Sequence, residues 1–221
     1  MAGRGTRLDA LYSNRFDEDH RAQRARVWRV LCESFFQRYI RADDTVLDVG
    51  AGFCEFINHV RCGRKLALDL NDDTRAHAAA DVEVLKARAT GIPLPDEGVD
   101  VAFASNFFEH LRDTDEFLDT LREIRRVLRR GGRLLILQPN IRYLPGAYWD
   151  FLDHHLPLTD RSLVEALRLS GFRPTEVRAR FLPFTTKSRL PQWSWLVRLY
   201  LRLPLAHRVF GKQAWVVAEK S

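Results

Sequence analysis

Cysteine is scarce in this sequence: Cys32, Cys54 and Cys62 are the only three among 221 residues. An odd number with no C-x-x-C pair argues against a disulfide framework and a cysteine-rich zinc site, and places the chain in a reducing, cytoplasmic compartment. Long apolar runs are missing as well. No stretch reaches the roughly 18 apolar residues of a spanning helix. The first residues, Met1 to Leu8, hold no apolar core of signal-peptide length, so neither membrane insertion nor secretion is expected. The lack of an internal repeat, low-complexity tract or Pro/Gly/Ser-rich linker leaves one domain over residues 1–221. Two nucleotide signatures are also absent. There is no G-x-x-x-x-G-K-[ST] loop, which argues against ATP or GTP hydrolysis. G-x-G-x-x-G fails because Glu55, at the third glycine position, would face a pyrophosphate with a negative charge.

What is present has the balance of a globular protein, 46% apolar and 29% charged. The net charge of +6 is unevenly spread. Residues 161–221 carry 12 Lys or Arg against 3 acids, while residues 1–160 are slightly acidic. This basic end fits an anionic partner or simply a solvated Arg-rich face.

From Thr45 onward short apolar runs alternate with longer amphipathic ones. Thr45–Val49, Lys65–Leu68, Val82–Leu85, Val99–Phe103 and Arg133–Leu137 read as buried strands. Residues 115–128 place Phe117, Leu121, Ile124 and Leu128 at helical spacing, with Gly131 and Gly132 expected to close the helix. Residues 21–40 predict a helix across the core, and residues 159–171 a capped helix with a glycine stop. Thr175–Leu182 and Ala214–Ala218 predict two last strands, separated by about 30 residues, far more than a hairpin uses. The expected fold is α/β, a Rossmann-like doubly wound sheet of seven strands with the last antiparallel. Residues 1–43 form an N-terminal helical segment, 44–137 a core, and 138–221 a substrate-side half with a cap at 183–212.

The segment Val46-Leu-Asp-Val-Gly-Ala-Gly-Phe-Cys-Glu55 predicts a strand running into Asp48-x-Gly50-x-Gly52 and then a helix, whose first N–H groups would be free for an anion. An acid just ahead of the first glycine suits a cationic ligand instead. Asp69, at the end of the next strand, is placed to accept from ribose hydroxyls.

With Leu68-Asp69, Ile92-Pro-Leu-Pro-Asp-Glu-Gly-Val-Asp100, Ser105-Asn-Phe-Phe-Glu-His-Leu111 and Arg126-Val-Leu-Arg-Arg-Gly-Gly-Arg-Leu134 following in order, residues 44–137 resemble a class I SAM-dependent methyltransferase of the small-molecule branch. The resemblance implies S-adenosylmethionine as cofactor. It would put Asp48, Gly50, Ala51 and Gly52 at the methionine end, Asp69 and Leu70 at the ribose, Ala89 and Thr90 at adenine, and Asn106 and Phe107 at the sulfonium. Two departures stand out. Cys54 replaces a frequent third glycine, leaving a thiol near the cofactor, and Arg88 stands where many members carry an acid for the adenine amino group.

The acceptor is expected beyond the carboxyl ends of the strands, where residues 138–157 offer Tyr143, Tyr148, Trp149 and Asp150 together with Asp153, His154 and His155. A His oriented by a carboxylate can take a hydroxyl proton during transfer, with His154 or His155 as base and Asp153 as partner. These His could equally cap a helix or satisfy carbonyls. His110 is a further candidate base; Asp150, Asp153 and a His could in principle hold a metal, but without further ligands none is expected. In the cap, Thr185, Thr186, Lys187, Ser188 and Arg189 form a donor set for phosphate or sugar. Trp195, Leu196, Leu199, Tyr200 and Leu203 form an apolar stripe, fitting either peripheral membrane contact through 193–203 or a lid packed on protein.

Together these segments also resemble a bacterial subgroup associated with surface-polysaccharide and glycosylation genes. The expected activity is therefore O-methylation of a hydroxyl on a sugar, glycan or lipid-linked small molecule, in the cytoplasm or at the inner face of the membrane. C- or N-methylation of a quinone or amine, nucleic-acid methylation and SAM binding without catalysis are the rivals. The lack of an aromatic RNA platform argues against nucleic acid.

Overall fold

Alternation along the strands decides which of two apolar layers each residue joins. The computed structural model describes residues 18–184 and 193–221, with side chains from residue 22 onward. Seven strands form one sheet: β1 (Thr45–Val49), β2 (Arg64–Asp69), β3 (Val82–Lys86), β4 (Val99–Ser105), β5 (Leu128–Pro139), β6 (Phe172–Arg178) and β7 (Gln213–Lys220). Their order is β3-β2-β1-β4-β5-β7-β6. β1 to β5 pair in parallel, and β7 lies antiparallel between β5 and β6. The expected Rossmann-like sheet is therefore present.

Leu47, Ala102, Leu134 and Val216 enter one core with Phe117, Leu121 and Ile124 of α3 (Thr114–Val127) and Leu163 and Leu167 of α4 (Asp160–Leu169). The adjacent residues on these strands, including Phe103, Leu135 and Trp215, turn to the opposite face and pack on Leu31 of α1 (Glu18–Ser34) and on Phe35 and Phe36 just beyond it. A period of two on each strand thus builds both layers. Both α3 and α4 start where expected. Asp113 accepts from the Glu116 N–H at 2.8 Å, and Thr159 and Ser162 form a reciprocal capping box.

Four local expectations are corrected. Residues 52–59 form successive turns rather than a regular helix, and the next crossover keeps only the four-residue α2 (Thr74–His77). The helix predicted over 21–40 ends at Ser34 and continues as a 3-10 turn over Phe36–Tyr39, because Phe35 and Phe36 both face inward. Gly131 and Gly132 do not close α3. Leu128 already pairs with Val99, and the glycines lie inside β5 where the register shifts before Arg133. The strand placed at 175–182 spans Phe172–Arg178, its Pro174 sitting at an irregularity of an edge strand, where a missing N–H is tolerated.

The chain leaves β6 at the same end of the sheet at which β1, β4 and β5 finish. There α5 (Ser194–Arg202) packs on α1, and α6 (Pro204–Phe210) leads into β7.

Candidate active site

The turn after β1 spends its first three N–H groups on β2. The Gly50 and Ala51 N–H groups both donate to Leu68 O, at 2.8 and 3.1 Å, and the Gly52 N–H donates to Asp69 Oδ2 at 2.7 Å. These three N–H groups are therefore satisfied by β2 itself. Asp69 also accepts from the Asn71 N–H at 2.9 Å, yet a carboxylate has about four lone-pair sites, so capacity remains for hydroxyls. Asp48 is buried at the end of β1. Burial, and then the charge of Asp69, push its carboxyl well above the usual range, against a pull from the Ile57 backbone. A ligand bringing positive charge relieves that strain, so the donor set fits an ammonium and a sulfonium better than a phosphate. Leu70 is half exposed beside Asp69.

The two departures have structural answers. Cys54 holds the left-handed backbone that a glycine would adopt freely, at φ 56°. Its thiol is buried and donates to Thr74 O at 3.6 Å, and burial pushes its pKa up to about 12, so it is no reactive group beside a cofactor. Arg88 turns away to Glu116 Oε1 of α3 at 2.7 Å. Ala89 and Thr90 are half-buried in the turn after β3.

At the end of β4 the Asn106 side chain is committed on both sides. Its Nδ2 donates to Ser105 Oγ and its Oδ1 accepts from Gln213 Nε2, each at 2.9 Å. Asn106 itself lies in the left-handed region at φ 48°. Phe107 covers the glycine turn so closely that a Cβ on Gly50 would fall 2.3 Å from its Cδ2. That contact joins the ends of β1 and β4.

Beyond β4 lies the acid–base cluster. A His–carboxylate pair does form with Asp153, and its imidazole is that of His110: Nδ1 lies 3.2 Å from Asp153 Oδ2 and 3.0 Å from Asp153 O. Both oxygens only accept, so in the neutral ring Nδ1 carries the proton and Nε2 the lone pair. Burial pulls the His110 pKa down, but the Asp153 hydrogen bond and the charges of Glu109 and Asp153 outweigh it, and the net shift is upward. His154 is buried, with Nδ1 on Tyr148 O at 2.8 Å and its ring 5.1 Å from that of His110. His155 is exposed and donates its backbone N–H to Glu109 O at 2.8 Å.

The buried Glu109 accepts from Gln138 Nε2 at 3.0 Å, and burial raises its pKa. Glu109, His110 and His154 each offer one ligand atom within 4.8 Å of the others, a donor set of the type that holds a divalent cation.

The remaining predicted residues scatter. Tyr148 is fully buried, its hydroxyl donating to Leu156 O, so it braces the loop. Trp149 and Asp150 are exposed, and Tyr143 is half-buried under Arg180. Thr185, Thr186, Lys187 and Arg189 lie outside the described residues. Sequence reasoning missed Glu109, Gln138 and Gln213 as site members. Polar residues at or just beyond the strand ends that face the ligand side were the available signal.

A family model described as a methyltransferase domain matches residues 47–136. A Mycobacterium tuberculosis protein, named as a probable S-adenosylmethionine-dependent methyltransferase, is 36% identical over 107 residues, 46% of this chain and 38% of that protein. A ubiquinone/menaquinone biosynthesis C-methyltransferase of an Enterobacter species is 30% identical over 137 residues, 53% of each chain. The chain spans 38–43% of the length of the mycobacterial relatives it matches. Among solved structures, a Haloferax volcanii methyltransferase in complex with the Trm112 activator superposes with a TM-score of 0.67 at 20% identity, covering 90% of this chain and 92% of its own. A SAM-dependent methyltransferase from Archaeoglobus fulgidus gives 0.64 at 22% identity, covering 90% and 94%. Motif order, sheet order and matched span together identify residues 47–136 as a class I SAM-dependent methyltransferase domain, with S-adenosylmethionine as its cofactor.

Proposed function

We propose that this chain methylates a hydroxyl oxygen on a sugar, glycan or lipid-linked small molecule, with His110 as general base. The observation that carries the reading is the His110–Asp153 pair at the ligand end of β4. Bound S-adenosylmethionine supplies a methyl group on a positively charged sulfur. Its methyl group would pass to the acceptor oxygen with the bonding pair left on sulfur, and His110 Nε2 would take the hydroxyl proton. Asp153 holds the tautomer that leaves Nε2 basic and stabilises the imidazolium that results. Asp48 and Asp69 bind and orient the cofactor.

The test is mass spectrometry and NMR of cell-extract products after incubation with methyl-labelled S-adenosylmethionine. Label on oxygen supports the reading. Label on carbon, the chemistry named for the Enterobacter relative, or on nitrogen overturns it, and binding without turnover points to a non-catalytic role.

The donor set of Glu109, His110 and His154 favours a second reading, in which a divalent cation holds the acceptor hydroxyl and lowers its pKa. Dialysis against a chelator separates the two. Full turnover afterwards keeps His110 as base, whereas loss restored by added magnesium or manganese assigns the role to a cation.

A further inference from the structure

We infer that the outer face of the α5–α6 cap seats on an anionic lipid surface. The two helices are fastened to the protein by one face each. Val197, Tyr200 and Leu201 of α5 pack against the core shared with α1, and Arg198 reaches Glu33 at 2.8 Å. The buried His207 of α6 contacts Tyr200 O at 3.0 Å, while Arg180 donates to Gly211 O and Val209 O and so holds the end of α6.

The opposite faces are apolar, exposed and basic in the same register. On α5, Trp195 (60% exposed), Leu199 and Arg202 follow one another at one-turn spacing. On α6, Leu205 (73%) has Arg208 and Val209 (63%) one turn further on. Trp193 stacks on Trp195 with ring centroids 5.9 Å apart and is itself 58% exposed. Such aromatic and aliphatic area beside arginines is what an interfacial helix inserts at the headgroup boundary.

Charge selects among occupants. Residues 177–218 contain eight Lys or Arg and no Asp or Glu. Among the described residues, Arg202, Arg208 and Lys212 form no ion pair, so their charge is available outward. A second copy docking by the same face would set these cations against themselves, because a two-fold interface is self-complementary. An anionic bilayer offers apolar depth under a negative surface and satisfies both features.

The placement also matters for chemistry. The cap ends at Lys212, whose N–H donates to Leu182 O, and the next residue, Gln213, reaches Asn106 at 2.9 Å. The C-terminal end of the cap therefore adjoins the ligand end of β4. This inference rests on the preceding reading only for a lipid-linked acceptor, since vesicle binding requires no turnover.

The experiment is co-sedimentation of the full chain with phosphatidylglycerol/phosphatidylcholine vesicles and with phosphatidylcholine vesicles, with tryptophan emission recorded on the same samples. The expected result is binding to the anionic vesicles with a blue shift, weaker binding to neutral ones, and release as salt rises, because screening shortens to about 10 Å near 0.1 M. Trp195→Gln with Leu199→Gln, and separately Arg202→Glu with Arg208→Glu, should each weaken binding at least tenfold. All four positions are exposed. Unchanged S-adenosylmethionine affinity by calorimetry shows that the variants fold. Absence of binding to any vesicle, or equal salt-independent binding to both kinds, overturns the inference. So does a wild-type dimer that the patch variants convert to monomer without any vesicle binding.

Discussion

Asp153 sets its carboxylate 3.2 Å from Nδ1 of His110, although 43 residues separate the two in the chain. The pair connects the turn after β4 to the loop after β5, and Glu109 reinforces the join by accepting the backbone N–H groups of His155 and Leu156 at 2.8 and 3.1 Å.

If His110 is the base, His110→Ala should lower kcat by about 10²-fold or more while leaving cofactor affinity nearly unchanged. The neutral imidazole is the active form and its pKa is shifted upward, so kcat/KM should fall as pH drops through a value above that of a free histidine. Asp153→Asn removes the largest upward influence and should move that limb to lower pH. A limb that stays in place in both variants would assign the proton to another group.

Asp48 should oppose folding at neutral pH and favour cofactor binding. Its folded pKa is raised by burial and by Asp69, so stability falls as pH rises from the ordinary carboxyl value through the raised one, and is unaffected in acid where both states hold the proton. Asp48→Asn should therefore raise Tm near neutrality, with the gain vanishing in acid, and should weaken S-adenosylmethionine binding. Asp69→Ala should weaken it by about 1–3 kcal/mol. Scanning calorimetry and titration calorimetry measure the two effects separately.

Gly50→Ala should destabilise the protein by about 2–4 kcal/mol, combining the left-handed backbone penalty with overpacking. The new Cβ would lie 2.3 Å from Phe107 Cδ2 at a φ of 71°. Adding Phe107→Ala removes the collision but not the backbone strain, so a denaturant double-mutant cycle should show a favourable coupling. Strict additivity would mean that the two strand ends do not press on each other.

Thiol labelling of the native protein should stop at one cysteine. Cys32 and Cys54 are buried, whereas Cys62 is partly exposed. Burial raises the pKa of all three, so even Cys62 should react slowly. Rapid labelling of Cys54 would show that the turn after β1 opens.

Local physics made much of this protein legible without coordinates. Leu47 and Asp48, Ala102 and Phe103, Leu134 and Leu135 follow the period of a pleated strand, and Phe117, Leu121 and Ile124 that of a helix, because burial on one face constrains neighbouring residues directly. Asp48-x-Gly50-x-Gly52 was readable for the same reason, since a tight turn with positive φ needs glycine at its own position. What only the tertiary structure decided was partnership. Asp153 lies beside His154 and His155 in sequence but meets His110. Arg88 meets Glu116, Tyr148 turns inward to Leu156 O, and the Gly50, Ala51 and Gly52 N–H groups go to β2. Each of those contacts joins groups that approach one another only through the β3-β2-β1-β4-β5-β7-β6 strand order or the path of the connecting loops. Spacing along the chain carries no information about them, because the burial and hydrogen bonding that select such partners act on the assembled sheet and its loops rather than on any one segment.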